Sequence, residues 1–158
     1  MRISLVVALA VLASAAAPLG VSAATTQVFR AELHDNLACP TGFDLCGKGL
    51  VHGFGTVTTT LTFTGFGPGP GNCASLTAER VLTLGSDGST LDLSIEGILC
   101  PQGASGGHAP GKGSGTFIVV GGTGRFAGAT GSGELSVQAT GVPGLSDTAH
   151  YDGTLTLP

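Results

Sequence analysis

Two alternating runs flank Gly85-Ser86-Asp87-Gly88, and they constrain the fold more than anything else in this chain. Residues 76–84 read Leu-Thr-Ala-Glu-Arg-Val-Leu-Thr-Leu, and residues 90–99 read Thr-Leu-Asp-Leu-Ser-Ile-Glu-Gly-Ile-Leu. A period of two puts apolar side chains on one face of a strand and polar ones on the other. Asp-Gly between two such runs is a strong hairpin signal. Centring the hairpin between Ser86 and Asp87 sets Leu82 opposite Leu91, Ala78 opposite Ile95, Glu79 opposite Ser94 and Val81 opposite Asp92. A slip of two residues would keep the same faces, so parity is set more firmly than register. In this register Cys73 lies opposite Cys100, which predicts a disulfide across the open end of the hairpin. Cys39 and Cys46 are then left to close a small loop, residues 40–45.

The rest of the chain carries the same signature. Residues 25–33 alternate, with Phe29, Ala31 and Leu33 on one face and Arg30 and Glu32 on the other. Residues 36–48 read as a cystine-closed loop. Residues 50–64 read as one long strand, bent or split at Gly53-Phe54-Gly55. It puts Val57, Leu61 and Phe63 on one face and Thr56, Thr58, Thr60, Thr62 and Thr64 on the other. Residues 65–71, with Pro68 and Pro70, read as a turn, and residues 101–112 as a loop rich in glycine and proline. Residues 115–120, 134–140 and 148–157 complete the strands, and residues 124–127 are fit for one short helical turn. Seven or eight short, regularly spaced strands define an all-β domain, a sandwich or a barrel. A recurring Gly-x-Gly favours a small antiparallel barrel of about eight strands: Gly53-Phe54-Gly55, Gly113-Ser114-Gly115 and Gly131-Ser132-Gly133. Two glycines one residue apart share a strand face and permit the sharp coiling a small barrel needs. The plainer alternative is that these are loop glycines preceding strands.

The N-terminus sets the expected compartment. Met1-Arg2 is a short positive segment, residues 3–17 are uncharged and rich in Leu, Val and Ala, and Val21-Ser22-Ala23 offers small residues to a signal peptidase. This reads as a signal peptide, residues 1–23, cleaved before Ala24 to leave one domain, residues 24–158, secreted from the cell. The apolar run is shorter than the roughly 20 residues that span a bilayer, and no later stretch reaches that length, so no integral membrane segment is expected. The first cysteine is Cys39, which leaves no lipid-anchored N-terminus. The whole chain carries a net charge of −4, and loss of Arg2 makes the mature chain more acidic. Arg30, Lys48, Arg80, Lys112 and Arg125 stand singly, so no basic cluster exists to displace counterions from phosphates, and nucleic acid is rejected as a partner. Four cysteines in an exported domain predict two disulfides. Their spacing lacks the paired pattern of a zinc site. No metal and no cofactor is expected.

The segment from Gly121 through Gly122-Thr123-Gly124-Arg125-Phe126-Ala127-Gly128 to Gly133 resembles the signature of the dirigent and allene oxide cyclase barrel group. In that group a strand ends in a Gly-Gly-[Thr/Ser]-Gly-x-Phe-x-Gly turn before the next strand. Gly115-Thr116-Phe117 is similar to the group's strand entry. The resemblance implies an eight-stranded antiparallel barrel with an apolar cavity, here in a bacterial, secreted member. It also implies homo-oligomers, and a reactive hydrophobic guest whose cyclisation or coupling is steered without a metal. No catalytic residue is carried over, because the group's acidic and basic positions match no motif in this chain, and a shared fold does not fix a function. On physical grounds alone, the glycines allow positive φ in a tight connection, and Phe126 is placed to plug a barrel end. A phosphate-cradling loop would need a helix N-terminus after it, whereas a strand follows.

Arg80 is the most informative single residue. By parity it points with Leu76, Ala78, Leu82 and Leu84, while Glu79 points out. A buried guanidinium needs a partner, and the cross-strand neighbours Leu93 and Ile95 offer none. Arg80 therefore either meets an anionic or carbonyl-bearing guest inside the barrel or lies near the mouth and reaches water. His34, His52, His108 and His150 show no spacing for a metal trio or a Ser-His-Asp set, and no Gly-x-Ser-x-Gly elbow is present. The five alternating threonines read as a solvated outer face, and Glu32, Asp35 and Asp44 as solubilising charge. Three functions follow. The first is a secreted barrel that binds a small apolar ligand in its cavity, with Arg80 as ligand-binding residue. The second is a dirigent- or cyclase-like enzyme acting on such a molecule. The third is an extracellular structural or interaction domain with a filled barrel.

Overall fold

Alternation runs through most of the chain. The computed structural model, which describes residues 23–102, 110–140 and 146–158, resolves it into eight strands. These are β1 (Thr25–Asn36), β2 (Leu45–Val51), β3 (Gly55–Pro68), β4 (Ala74–Leu84), β5 (Thr90–Pro101), β6 (Gly111–Gly122), β7 (Thr130–Thr140) and β8 (Ser146–Leu157). Each pairs antiparallel with the next, and β8 returns to β1 over the full length of both strands, so the sheet closes into a barrel. The β4–β5 hairpin has the register derived from its sequence: Leu82 faces Leu91, Ala78 faces Ile95, Glu79 faces Ser94 and Val81 faces Asp92. Cys73 and Cys100 are disulfide-bonded just beyond the last pair, and Cys39 is bonded to Cys46.

The strand boundaries differ from expectation where glycine removes the alternating signal. Residues 36–48 are not all loop, and residues 50–64 are not one strand. The chain turns back at residues 52–54, with Gly53 at φ 82° and Gly55 at φ 111°, and the segment before this turn is the separate strand β2. Its inner positions between Leu45 and Val51 are Gly47 and Gly49, where an added methyl would come within 2.8 Å of the Asp35 and Leu33 Cα atoms of β1. A strand with bare inner positions shows no apolar period. Residues 65–68 likewise extend β3 beyond a register shift between Phe63 and Gly65, where a turn was expected.

Two of the three Gly-x-Gly pairs lie inside the barrel as strand residues; the first belongs to the β2–β3 turn. Gly115 pairs with Gly97, and Gly133 pairs with both Phe117 and Gly153. A methyl at Gly133 would lie 2.7 Å from the Phe117 ring, so that ring fills the space the glycine leaves. Phe117 packs 5.4 Å from Phe29 and 5.4 Å from Tyr151, centroid to centroid. With Leu33, Leu82, Leu91, Leu93 and Leu155 these rings fill the barrel interior.

The two ends of the barrel differ. At one end a 3-10 helix, Gly124–Phe126, follows β6 and buries Phe126, whose ring packs 5.1 Å from Phe54 of the β2–β3 turn. That end is plugged. The opposite end carries the connections 37–44 and 69–73, and both disulfides lie there; residues 103–109 and 141–145 fall outside the described residues. The expected signal peptide, residues 1–23, falls almost wholly outside the described residues, as does His108. No helix among the described residues is long and apolar enough to cross a membrane.

Candidate functional site

The inner faces of four strands bring polar side chains together toward the end opposite Phe126. On β1 the inward series Phe29, Ala31, Leu33 continues to Asp35. On β8 the series Leu155, Gly153, Tyr151, Ala149 continues to Asp147, directly opposite Asp35. Thr59 interrupts Val57 and Leu61 on β3, and Arg80 interrupts Ala78 and Leu82 on β4. Parity alone puts all five side chains inside.

Arg80 is 2% exposed and donates from Nη1 to Asp35 Oδ2 at 2.7 Å and to Thr59 Oγ1 at 2.9 Å. Its Cζ lies 5.7 Å from the centroid of the Tyr151 ring, within cation–π range. Arg80 thus neither reaches water nor lacks a protein partner. The charged partner, Asp35, comes from β1, three strands away, while Thr59 belongs to the adjacent β3. Asp35, expected to be a solubilising charge, is 2% exposed. Asp44 is also engaged: its Oδ2 accepts from the Phe63 amide at 2.7 Å and ties the β1–β2 connection to β3.

The group is not fully satisfied. Among the described residues, Asp35 Oδ1, Asp147 Oδ1 and Arg80 Nε are buried without a hydrogen-bond partner. Buried polar atoms are paired in the great majority of cases, so three in one cluster need an explanation. Above them a recess of about 790 Å³ runs over the barrel rim. It is lined by Asp35, Gly47, Thr59 and Asp147 from the inner faces, and by His34, Lys48, Thr58, Thr60 and Thr148 from the outer ones. Asn36, Pro40, Cys46 and Ser146 complete its edge.

Electrostatics sharpen the picture. Burial, then the neighbouring Asp35 charge, pushes the Asp147 carboxyl from its ordinary 3.8 up to about 6, and Arg80 only partly offsets this. Burial likewise pushes the Tyr151 phenol up to about 12, so it stays neutral. Burial works against the charge of Arg80, yet the charge and hydrogen bond of Asp35 help hold the guanidinium above its usual range. The site therefore combines a fixed cation, a paired carboxylate and a second carboxyl group that changes charge near neutral pH.

The other candidates lie elsewhere. His34, His52 and His150 are exposed on the outer surface, with His34 Nε2 3.3 Å from Glu32. Thr56, Thr58, Thr60, Thr62 and Thr64 face outward, as expected of a solvated face. Arg125 is exposed at the plugged end, 3.5 Å from Asp87. No cluster of three or more His, Cys, Asp or Glu among the described residues is arranged to hold a metal ion. Sequence reasoning missed Asp35, Thr59, Asp147 and Tyr151 as partners of Arg80. The signal was present: Asp35 has the parity of Leu33, and Asp147 the parity of Ala149. Both sit just beyond the points, residues 33 and 148, where the strands were ended.

Fold and site together define a class of protein: a small, disulfide-stapled, eight-stranded meander barrel, plugged at one end, with a buried ionic group beneath a recess at the other. Comparison with protein-family models and with curated proteins finds no match. Among solved structures, that of a pterocarpan synthase dirigent protein is similar. The identity is 14% and the TM-score 0.33, over 92% of this chain and 99% of that one.

Proposed function

We propose that this chain is an exported barrel that holds a small, largely apolar molecule at the end opposite Phe126, with the polar end of the guest against Asp35 and Asp147 and with Arg80 beneath them. Two residues that line the recess, Asp35 and Asp147, each hold a buried Oδ1 without a hydrogen-bond partner among the described residues, and these carry this reading. A barrel filled for structural reasons alone would gain stability from replacing such a group with apolar side chains. The recess walls suit an apolar body, since Pro40, the Cys39–Cys46 disulfide and the methyl groups of Thr58, Thr59 and Thr60 contribute to them. The packed interior confines the guest to the mouth, so the site is shallower than a cavity along the whole barrel. Arg80 supports the site from beneath, its Nη1 held by Asp35 and Thr59.

Export is supported by the two disulfides, which fit an oxidising compartment. It is supported also by the start of β1 at Thr25, so that cleavage after Ala23 removes nothing from the barrel. One observation favours an enzyme as the second reading: Asp147, ionising at about 6 in the recess, is a carboxylic acid able to hand a proton to a bound guest.

Native mass spectrometry of protein recovered from its own culture medium tests the binding reading, and reports processing and subunit number together. The expected spectrum shows a chain beginning at Ala24 with a small-molecule adduct. The adduct should be lost in Thr58→Trp, which narrows the recess from its exposed rim. A ligand-free wild-type chain that also binds none of a panel of apolar alcohols, amines and acids would put the filled structural domain ahead.

A further inference from the structure

The charges at the mouth do not balance, and the imbalance specifies a guest. Asp35 and Asp147 lie side by side on the paired strands β1 and β8, and among the described residues Arg80, reaching from β4, is the one buried cation against them. The remaining ionisable groups around Asp147 do not close the gap. On β1, His34 lines the recess from the outer face, is engaged by Glu32 at 3.3 Å, and has the smallest of the effects acting on Asp147. On β2, Lys48 is exposed on the outer surface, where water screens it. On β8, Tyr151 is neutral, and on β7 the residue opposite Asp147 is Ala139. The threonines of β3 carry no charge. Arg80 is committed to Asp35 Oδ2, so among the described residues the Oδ1 atoms of both aspartates, side by side on neighbouring strands, are left as unanswered acceptors.

Two carboxylates so placed are relieved in one of two ways. At low pH a proton held by Asp147 removes the excess charge and supplies one donor. At higher pH, relief requires a cation that also donates hydrogen bonds. A hydroxyl group donates once and carries no charge. A carboxylate would be the third at the site. A metal ion finds no set of three ligating side chains among the described residues. An ammonium group supplies both the charge and up to three donors.

Building on the mouth-binding reading above, we infer that the guest is an organic amine: its ammonium group donates to Asp35 Oδ1 and Asp147 Oδ1, and its apolar body lies along Pro40 and the threonine methyls of the recess. The amine takes the place of the proton on Asp147, which passes to solvent. Uptake and release are therefore coupled to pH, with binding favoured above the ionisation of Asp147 at about 6 and opposed below it.

Isothermal titration of the mature protein with octylammonium, 1-octanol and octanoate at about pH 8, repeated with octylammonium at about pH 5, tests this. Octylammonium should bind at least about tenfold more tightly than octanol at the higher pH, and lose roughly tenfold at the lower one. Asp147→Asn should abolish both the preference and the pH dependence while octanol binding persists. Octanol or octanoate binding as tightly as octylammonium would overturn the amine and leave the mouth standing as a site. Octylammonium binding that is unchanged in Asp147→Asn would place the amine elsewhere on this acidic protein and overturn the inference. If none of the three probes binds the wild type, the inference and the mouth reading fall together.

Discussion

Arg80 and Asp35 lie 45 residues apart in sequence and meet at 2.7 Å in the barrel, each 2% exposed. An arginine without a partner would be better replaced by leucine. An arginine with this partner would not, because its removal strands a buried carboxylate. Arg80→Leu and Asp35→Leu should each cost about 3–5 kcal/mol. The double replacement should recover much of that loss, and urea unfolding of the four proteins gives the coupling directly. Additive losses would show that the two charges do not depend on each other. Asp147 makes a prediction in pH. Its carboxyl is raised on folding, so the folded state holds the proton more tightly than the unfolded chain does. The contribution of Asp147 is therefore present at low pH and is lost as pH rises from about 4 to about 6. The change is on the order of 2 kcal/mol, and it should vanish from the pH dependence of the urea midpoint in Asp147→Asn. At this scale the sequence was half legible. Parity placed Arg80 inside, but Asp35 was grouped with its exposed neighbours because the strand was ended one inward position too early.

Among the elements, the β4–β5 hairpin was legible pair by pair, because both of its strands carry full alternation and the turn between them is short. β2 was not, because glycines at its two middle inward positions erase the period while still pairing with β1 and β3. The same chemistry made the end of β3 look like a turn. The connection between β6 and β7 was legible for a different reason: its glycines and single aromatic have a specific task. Phe126 is buried against Phe54 and stops the plugged end. Phe126→Ala should cost about 3–5 kcal/mol, the usual loss for a buried phenylalanine. It should leave octanol binding at the opposite mouth unchanged. Thermal melts and titration of the same sample separate the two effects.

For the molecule as a whole, the glycine spacing pointed to a barrel over a sandwich, and the strand order around the ring agrees. What the sequence did not disclose is the asymmetry between the ends, because that depends on which inward residues stack at the same height on strands far apart in the chain. Both disulfides fall at the end opposite Phe126, beside the recess. Reducing the Cys73–Cys100 bridge, at a sequence separation of 27, should cost about 3 kcal/mol on a chain-entropy account. The intact oxidised protein should show no reactive thiol by mass shift after alkylation. Closure of the ring through β1 and β8 has its own consequence. The first strand made waits for the last, and until residues 146–157 arrive, β1 presents a row of unpaired amides and carbonyls along one side. A message cut short before that point does not encode a smaller barrel. It encodes a curled sheet with two adhesive borders and its phenylalanines bare, a product fit for the cell's proteases rather than for export.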